Sequence, residues 1–289
     1  MNDQAASLRE KLVTKNNKLQ YKKYKSLAII SGKGGVGKSN FSLNFSLSLQ
    51  KAGFSVLLID FDIGMANIDV LMGKSSFGSI IDLFNNGKSL REVIQKGPEG
   101  LSYIPGGSGL AEIFKMDKET VQHLLTELQH EAVHYDYLLF DMGAGMTEEN
   151  LKILLAMDEI VVVTTCEPTS ITDAYAALKI ISMSNNEIPL SIVVNKVFER
   201  NLADKTFHRI QSVSRKFLHK EIGFLGSIPD DRYVTKSVME QTPFLLAYPK
   251  CNASKAITNI ATSFTHKGRI TSKKDTPMIS KLFHFFFER

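Results

Sequence analysis

The sequence predicts an α/β fold: a doubly wound, mostly parallel sheet of about seven strands, flanked by helices, in a single domain. Short apolar runs rich in β-branched residues alternate with longer segments of helical pattern between residues 27 and 264. Polar or glycine residues bound these runs, which is typical of buried parallel strands. A chain of 289 residues that is 43% hydrophobic is long enough to enclose one sizeable core.

The order of the elements indicates where a ligand would bind. The predicted strands are residues 27–30, 56–59, 101–104, 137–140, 160–164, 190–194 and 222–225. Segments long enough to be crossover helices lie between them, including residues 40–53, 118–134, 172–184 and 203–220. Ligands of such sheets bind at the carboxyl ends of the strands, so the residues directly after each apolar run are the candidates for a site.

Composition excludes several classes of protein. Cys166 and Cys251 are too few for a disulfide framework, and residues 1–16 lack the apolar segment of a secretory signal. No run approaches the roughly 18 to 20 apolar residues that cross a bilayer, so an integral membrane protein is excluded. We therefore expect a cytoplasmic protein, with peripheral attachment to the inner face of the cell membrane still open.

The net charge of +5 is concentrated in the two tails. Residues 1–26 hold seven Lys/Arg and two Asp/Glu, and residues 266–289 hold six and two. The body between them carries a net charge of −4. A mildly acidic body with basic tails differs from a basic nucleic-acid-binding domain, so no specific nucleic acid is expected as a partner.

A glycine-rich loop follows the first predicted strand and opens a helical segment. Residues 31–39, SGKGGVGKS, satisfy the pattern GxxxxGK[ST], whose backbone N–H groups wrap around phosphates. Lys38 would neutralise the β and γ phosphates of ATP or the β phosphate of ADP, and the Ser39 hydroxyl would bind Mg²⁺. A turn without ligand is the alternative, but the flanking strand and helix favour a nucleotide site. The predicted nucleotide contacts are Gly32, Lys33, Gly34, Gly35, Val36, Gly37, Lys38, Ser39 and Asn40.

Carboxylates follow two further strands. Asp60 and Asp62 lie two positions apart at the end of the second apolar run, where both can point toward a metal or an attacking water. Asp141 ends the fourth run and is a candidate to hold Mg²⁺ through water. Capping of the next helix by Asp62 or Asn67 is the alternative for the first pair.

The loop resembles the deviant Walker A motif of the MinD/ParA ATPases, because a second lysine, Lys33, follows its first glycine. The resemblance implies a P-loop NTPase fold and an ATP-bound homodimer, in which Lys33 reaches the partner's nucleotide. It also implies that Asp62 activates water, that Asp60 supports the network of Mg²⁺ and lysine, and that residues 141–145 form a second switch loop. Lys33, Lys38 and Asp62 are thus the predicted catalytic residues.

Three residues after the later strands resemble base-contacting positions of MinD-like proteins. These are Asn195, Pro229 and Asp230. An asparagine amide can pair with both a donor and an acceptor on a purine. Turn formation alone also explains these residue types, so both interpretations stay open.

The C-terminal residues predict an amphipathic helix. Apolar side chains of residues 278–288 fall on one arc of a helical wheel, and Ser280, Lys281, His284 and Glu288 occupy the rest. The helix is too short to span a bilayer but suits the headgroup layer, with the preceding basic linker near anionic lipid. Docking of the helix on the body is the alternative. The residues expected to contact lipid are Ile279, Leu282, Phe283 and Phe286.

The N-terminal segment resembles the activator segment of the FlhG (YlxH) family, the MinD-like ATPases of flagellar placement. The residues that carry this resemblance are Asp3, Gln4, Ala5, Leu8 and Arg9. It implies stimulation of the GTPase FlhF, a weak regulatory ATPase activity, and flagellar basal-body components as further partners. A MinD-type division-site regulator and a ParA-like partition ATPase remain alternatives.

The expected organisation has three parts. They are an activator segment with a basic linker (residues 1–25), an ATPase domain (residues 26–265), and a basic linker with the amphipathic helix (residues 266–289).

Overall fold

An eight-stranded sheet forms the centre of the computed structural model, which describes residues 24–63, 67–85, 87–107, 118–143, 145–199, 201–267 and 277–287. The strands are β1 (Lys25–Ile30), β2 (Val56–Phe61), β3 (Gln95–Lys96), β4 (Ser102–Ile104), β5 (Tyr137–Met142), β6 (Glu159–Thr164), β7 (Leu190–Val197) and β8 (Gly223–Pro229). Their order across the sheet is β3-β4-β2-β5-β1-β6-β7-β8. All neighbours are parallel except β3 and β4, which are antiparallel.

The predicted fold class is confirmed, with one strand more than expected. All seven apolar runs overlap observed strands. The addition is β3, a strand of two residues at the edge of the sheet. Gln95 and Lys96 form no apolar run, so hydrophobic periodicity could not detect this strand.

Helices cover both faces of the sheet. Within the described residues they are α1 (Lys38–Lys51), α2 (Ile68–Leu71), α3 (Ile80–Asn85), α4 (Leu90–Val93), α5 (Lys118–Glu131), α6 (Glu148–Ala156), α7 (Pro168–Ser184), α8 (Leu202–Leu218), α9 (Arg232–Met239), α10 (Phe244–Ala247), α11 (Asn252–Lys267) and α12 (Met278–Phe287). Because strand side chains alternate, Ala28 and Ile30 join the core under α5, α6, α7, α8 and α12. Leu27 and Ile29 join the opposite core, under α1, α10 and α11.

The topology brings three loops together at one edge of the sheet. β5 lies between β1 and β2, and Asp60 of β2 is in register with Asp141 of β5. The phosphate loop follows β1 at the same edge. The connection from β1 to β2 runs toward one side of the sheet, and the connection from β5 to β6 runs toward the other. Ligands of α/β sheets bind at such a switch point.

Helix α12 docks on the body by packing against α5 and α6. Met278 and Leu282 are 1% and 3% exposed and belong to the core on that face. Lys281 pairs with Asp158 at 3.8 Å, and the Lys152 ammonium lies 5.3 Å from the centre of the Phe286 ring. The helix forms where the sequence predicts it, with part of its apolar arc covered by the protein.

Two expected features lie beyond what the structure describes. The activator residues Asp3, Gln4, Ala5, Leu8 and Arg9 fall in residues 1–23, and most of the basic C-terminal linker falls in residues 268–276, both outside the described residues. Among the helices that are described, none is long and apolar enough to cross a membrane.

Candidate nucleotide site

The phosphate loop is shaped by glycines at the start of α1. Gly35 and Gly37 have φ values of 79° and 90°, in the left-handed region that side chains rarely adopt. A Cβ atom on Gly37 would also collide with the Asn195 amide, and one on Gly32 would overlap the backbone of Asp173. The predicted contacts from Gly32 to Asn40 therefore form a compact turn whose last residues begin the helix.

Lys38 and Asp141 form the buried part of the site. The Lys38 ammonium lies 2.9 Å from Asp141 Oδ1, to which Ser42 Oγ donates a hydrogen bond of 2.7 Å. Asp141 is fully buried, and its Oδ2 has no hydrogen-bond partner among the described residues. A buried carboxylate oxygen without a partner is the group expected of a ligand to a Mg²⁺-bound water. Ser39 follows Lys38 at the start of α1, so the residues present fit Mg²⁺.

Asp60 and Asp62 occupy different environments although they are two residues apart. Burial and the charge of Asp141 raise the pKa of Asp60 to about 7, against the lowering effect of three backbone N–H groups. Asp62 is partly exposed, and its Oδ2 lies 4.0 Å from the Lys38 ammonium. Partial burial raises the pKa of Asp62 above its ordinary value, while Lys38 opposes the rise.

Lys33 lies on the surface, in contrast to Lys38. Its side chain is 46% exposed, whereas that of Lys38 is 8% exposed. The Lys33 ammonium donates to Thr169 Oγ1 at 3.3 Å and lies 3.6 Å from Glu167, both at the start of α7. An exposed pair of this kind is weak, so little holds Lys33 in this arrangement.

The three predicted adenine residues lie at the same edge of the sheet. Asn195 Nδ2 donates to the Val36 carbonyl at 2.8 Å, so its side chain supports the phosphate loop. Pro229 ends β8 beside Val197, and the Asp230 N–H donates to the Val197 carbonyl at 2.9 Å.

Sequence reasoning missed the neighbour of Asn195. Lys196 has a positive φ of 54°, and its ammonium donates to the Gly35 carbonyl at 2.9 Å. Lys196 lies near the end of β7, two residues after the predicted apolar run of residues 190–194, and this place at the ligand edge was the available signal.

Comparisons with known proteins show the family of this chain. The ParA family described as "NUBPL iron-transfer P-loop NTPase" matches residues 22–265. The flagellum site-determining protein YlxH of Helicobacter pylori is 35% identical over 96% of this chain and 92% of its own length. The antiactivator FleN of Pseudomonas aeruginosa is 32% identical over 81% of this chain and 84% of its own.

A solved structure supports the fold. The septum site-determining protein MinD of Pyrococcus horikoshii, complexed with Mg-ADP, superposes with a TM-score of 0.72 at 22% identity. The match covers 87% of this chain and all of that one. Sequence and fold together make the chain a member of the MinD/ParA superfamily of P-loop ATPases and, within it, of the FlhG family represented by YlxH and FleN.

Proposed function

We propose that this chain is an ATP-dependent switch that dimerises around nucleotide, associates reversibly with the membrane, and regulates the placement and number of flagella. The flagellar role is supported by the names of YlxH and FleN, which are similar over most of the chain. The observation that carries the switch is the contrast between two lysines of one loop: Lys38 is buried against Asp141, and Lys33 is exposed.

Within one subunit, the phosphate loop binds ATP or ADP through its backbone N–H groups and Lys38. Ser39 and Asp141 would hold Mg²⁺, which neutralises phosphate charge when bound. Asp62 orients the attacking water. Asn195, Pro229 and Asp230 would contact the adenine, and Asn195 would offer its amide oxygen to the base while its amide nitrogen supports the loop.

Between subunits, Lys33 completes the partner's site. Its ammonium has a weak, exposed pair with Glu167 and a hydrogen bond of 3.3 Å to Thr169 to leave, so a triphosphate on a second copy can compete for it. The lifetime of the ATP-bound dimer is then the signal, which requires slow hydrolysis.

The dimer is tested by size-exclusion chromatography with light scattering, using the Asp62→Ala variant in ATP and in ADP. We expect a dimer in ATP, a monomer in ADP, and at least about a tenfold loss of hydrolysis. Adding Lys33→Ala should abolish the dimer while leaving nucleotide affinity within about twofold. A monomer in ATP, association that does not require Lys33, or unchanged hydrolysis by Asp62→Ala would each contradict this mechanism.

Helix α12 supplies the membrane contact. Ile279, Leu282, Phe283 and Phe286 are the proposed lipid-facing residues, and Leu282 is buried in the docked position. Membrane binding therefore requires the helix to leave the body. A single short amphipathic helix binds lipid marginally, and two helices of a dimer bind more firmly.

A substitution of Phe283 tests lipid binding without disturbing the docking of α12. Phe283 is 38% exposed on the docked helix, so Phe283→Asp should leave the fold intact and reduce sedimentation with anionic vesicles. Phe217→Asp is the matched control, because Phe217 is an exposed phenylalanine of α8. Deleting residues 275–289 should abolish vesicle binding and preserve nucleotide affinity. Vesicle binding that survives the deletion would remove the helix from this role.

The N-terminal segment is the proposed contact with the GTPase FlhF, through Asp3, Gln4, Ala5, Leu8 and Arg9. Flagellar basal-body components are further proposed partners. A pull-down with FlhF, using the full chain and a chain lacking residues 1–25, tests the first contact. Equal capture by both chains would reject the segment, and no capture by either would favour a division-site regulator of the MinD type.

A further inference from the structure

The carboxylate of Asp60 connects the two ends of one loop. Asp60 is 1% exposed near the end of β2, and its carboxylate bonds backbone both directly after β2 and at the start of α2. Asp60 Oδ1 accepts from the Asp62 N–H at 3.1 Å. Oδ2 accepts from the N–H groups of Asn67 at 3.0 Å and Ile68 at 3.2 Å. One side chain thus holds the backbone at the start and at the end of the loop.

These bonds distinguish Asp60 from its neighbour in the sheet. Asp60 and Asp141 are in register on adjacent strands, yet only Asp141 contacts Lys38 and Ser42 and has an oxygen with no partner among the described residues. Both oxygens of Asp60 already accept backbone hydrogen bonds. Because buried N–H groups are costly to leave unpaired, moving Asp60 toward a metal would sacrifice three of them.

The loop that Asp60 holds begins with Asp62, which approaches the lysine of the phosphate loop. Asp62 lies 4.0 Å from the Lys38 ammonium, and a Cβ atom on Gly143 would come within 2.9 Å of Asp62 Oδ1. Asp62 is therefore confined between the phosphate loop and the second switch loop. Its backbone N–H is bonded to Asp60, so the direction of its side chain depends on that bond.

We propose that Asp60 is a positioning residue for ATP hydrolysis: it fixes both ends of the loop after β2, so that Asp62 is aimed at the site of the attacking water. This differs from the role beside Mg²⁺ that the resemblance implies for Asp60. The inference rests on the proposed role of Asp62. It adds that Asp60, a residue of β2, holds Asp62 in the position that this role requires.

The test compares Asp60→Asn, Asp62→Ala and the double variant in single-turnover hydrolysis by the full chain. An amide of the same shape has only one accepting atom, so at least one backbone N–H loses its partner. We expect hydrolysis to fall at least about tenfold, while the Kd for ATP and the Mg²⁺ concentration for half-maximal rate stay within about twofold. The double variant should be no slower than Asp62→Ala, because Asp60 acts through Asp62.

Asp69→Asn is the matched control. Asp69 is another buried aspartate of the same region, 8% exposed, and its carboxylate accepts from the Val70 N–H and from Ser76 Oγ. Its substitution should leave the hydrolysis rate within about twofold, since it bonds neither end of the loop. Thermal unfolding of every variant shows whether a loss of hydrolysis comes from a misplaced Asp62 in a folded protein or from unfolding.

Amide hydrogen exchange on the wild-type chain keeps the test decisive if Asp60→Asn does not fold. The N–H groups of Asp62, Asn67 and Ile68 should stay protected with and without Mg²⁺ and ATP. Loss of that protection on adding Mg²⁺ with ATP, or a tenfold rise in the Mg²⁺ requirement of Asp60→Asn, would assign Asp60 to the metal. Normal hydrolysis by Asp60→Asn beside an inactive Asp62→Ala would overturn this inference alone, whereas normal hydrolysis by Asp62→Ala would overturn the proposed function.

Discussion

Asp62 lies between the phosphate loop and the residue that follows β5, Gly143. Its carboxylate is 4.0 Å from the Lys38 ammonium on one side. On the other side, the absence of a side chain at Gly143 leaves room for Asp62 Oδ1. Small changes at Gly143 should therefore reach the reaction through Asp62 rather than through nucleotide binding.

Replacing Gly143 with alanine tests this dependence. The new Cβ atom would lie 2.9 Å from Asp62 Oδ1, closer than side chains normally approach, so Asp62 must shift. We expect hydrolysis to fall about 10- to 100-fold, with ATP affinity nearly unchanged. Gly223→Ala, in β8, is the control, because it creates the same 2.9 Å approach to Ser191 Oγ of β7, and neither residue is a predicted site residue. Equal loss in both variants would indicate general destabilisation.

The raised pKa of Asp60 predicts a pH dependence of stability in the nucleotide-free protein. Burial raises the pKa of Asp60 to about 7, together with the charge of Asp141 on the neighbouring strand. Between about pH 4 and pH 7 the folded protein binds this proton more tightly than the unfolded chain. The free energy of unfolding should therefore decrease as pH rises through that window.

Urea unfolding across this pH range provides the measurement. In Asp60→Asn, the part of the slope that comes from Asp60 should disappear, leaving a flatter curve between about pH 4 and pH 7. A variant curve parallel to that of the wild type would show that Asp60 does not titrate in this window.

The residues of the phosphate loop were predictable because their spacing is fixed by the motif. The hydrogen bonds of Asp60, Asn195 and Lys196 were not, since they depend on how loops from separate strands meet. A sequence marks Asp60 and Asp62 as two acids two positions apart. It does not reveal that one bonds backbone N–H groups and the other faces a lysine.

At the scale of elements, two equivalent contacts secure neighbouring strands at the edge opposite the nucleotide site. The Asp158 carboxylate accepts from the N–H and hydroxyl of Ser26 in β1, both at 2.8 Å. The Asp136 carboxylate accepts from the same groups of Ser55, before β2, at 2.8 and 2.7 Å. Of the two, Asp158 also pairs with Lys281 of α12.

Because of this difference, a substitution at Asp158 can weaken the docking of α12 without changing any residue of the helix. Asp158→Asn removes the ion pair with Lys281, which is partly exposed and contributes about 0.5 kcal/mol. We expect vesicle binding to increase about twofold. The lipid-facing side chains are unchanged, and a larger fraction of molecules has α12 released from the body. Asp136→Asn should cost similar stability through its serine without changing vesicle binding. Reduced sedimentation of Asp158→Asn would contradict docking as a competitor of lipid.

Elements with strong periodicity were predictable, and elements defined by their neighbours were not. The seven apolar runs correspond to strands, and the amphipathic pattern after residue 277 corresponds to α12. The docked position of α12 was only an alternative, because a helical wheel does not distinguish a core from a bilayer as the partner of an apolar face. Met278 and Leu282 fit the groove beside α5 and α6, which exists only in the folded chain.

At the scale of the whole molecule, nucleotide state and membrane contact should be coupled through the dimer. A dimer presents two α12 helices, so its binding to anionic vesicles should exceed that of the monomer by at least about tenfold. We expect this gain in ATP with Asp62→Ala, and its loss when Lys33→Ala is added. Co-sedimentation in ATP and in ADP measures it. Equal binding of monomer and dimer would uncouple the anchor from the switch.

The buried position of Met278 and Leu282 has a consequence for molecules that open far from any lipid. Leaving the groove exposes apolar surface on both the helix and the body, at about 1.5 to 3 kcal/mol for each fully buried side chain. An exposed apolar surface of this kind is recognised by chaperones and proteases and associates with the same surface on other copies. We therefore expect the docked position of α12 to protect the chain from association and proteolysis wherever no lipid is present.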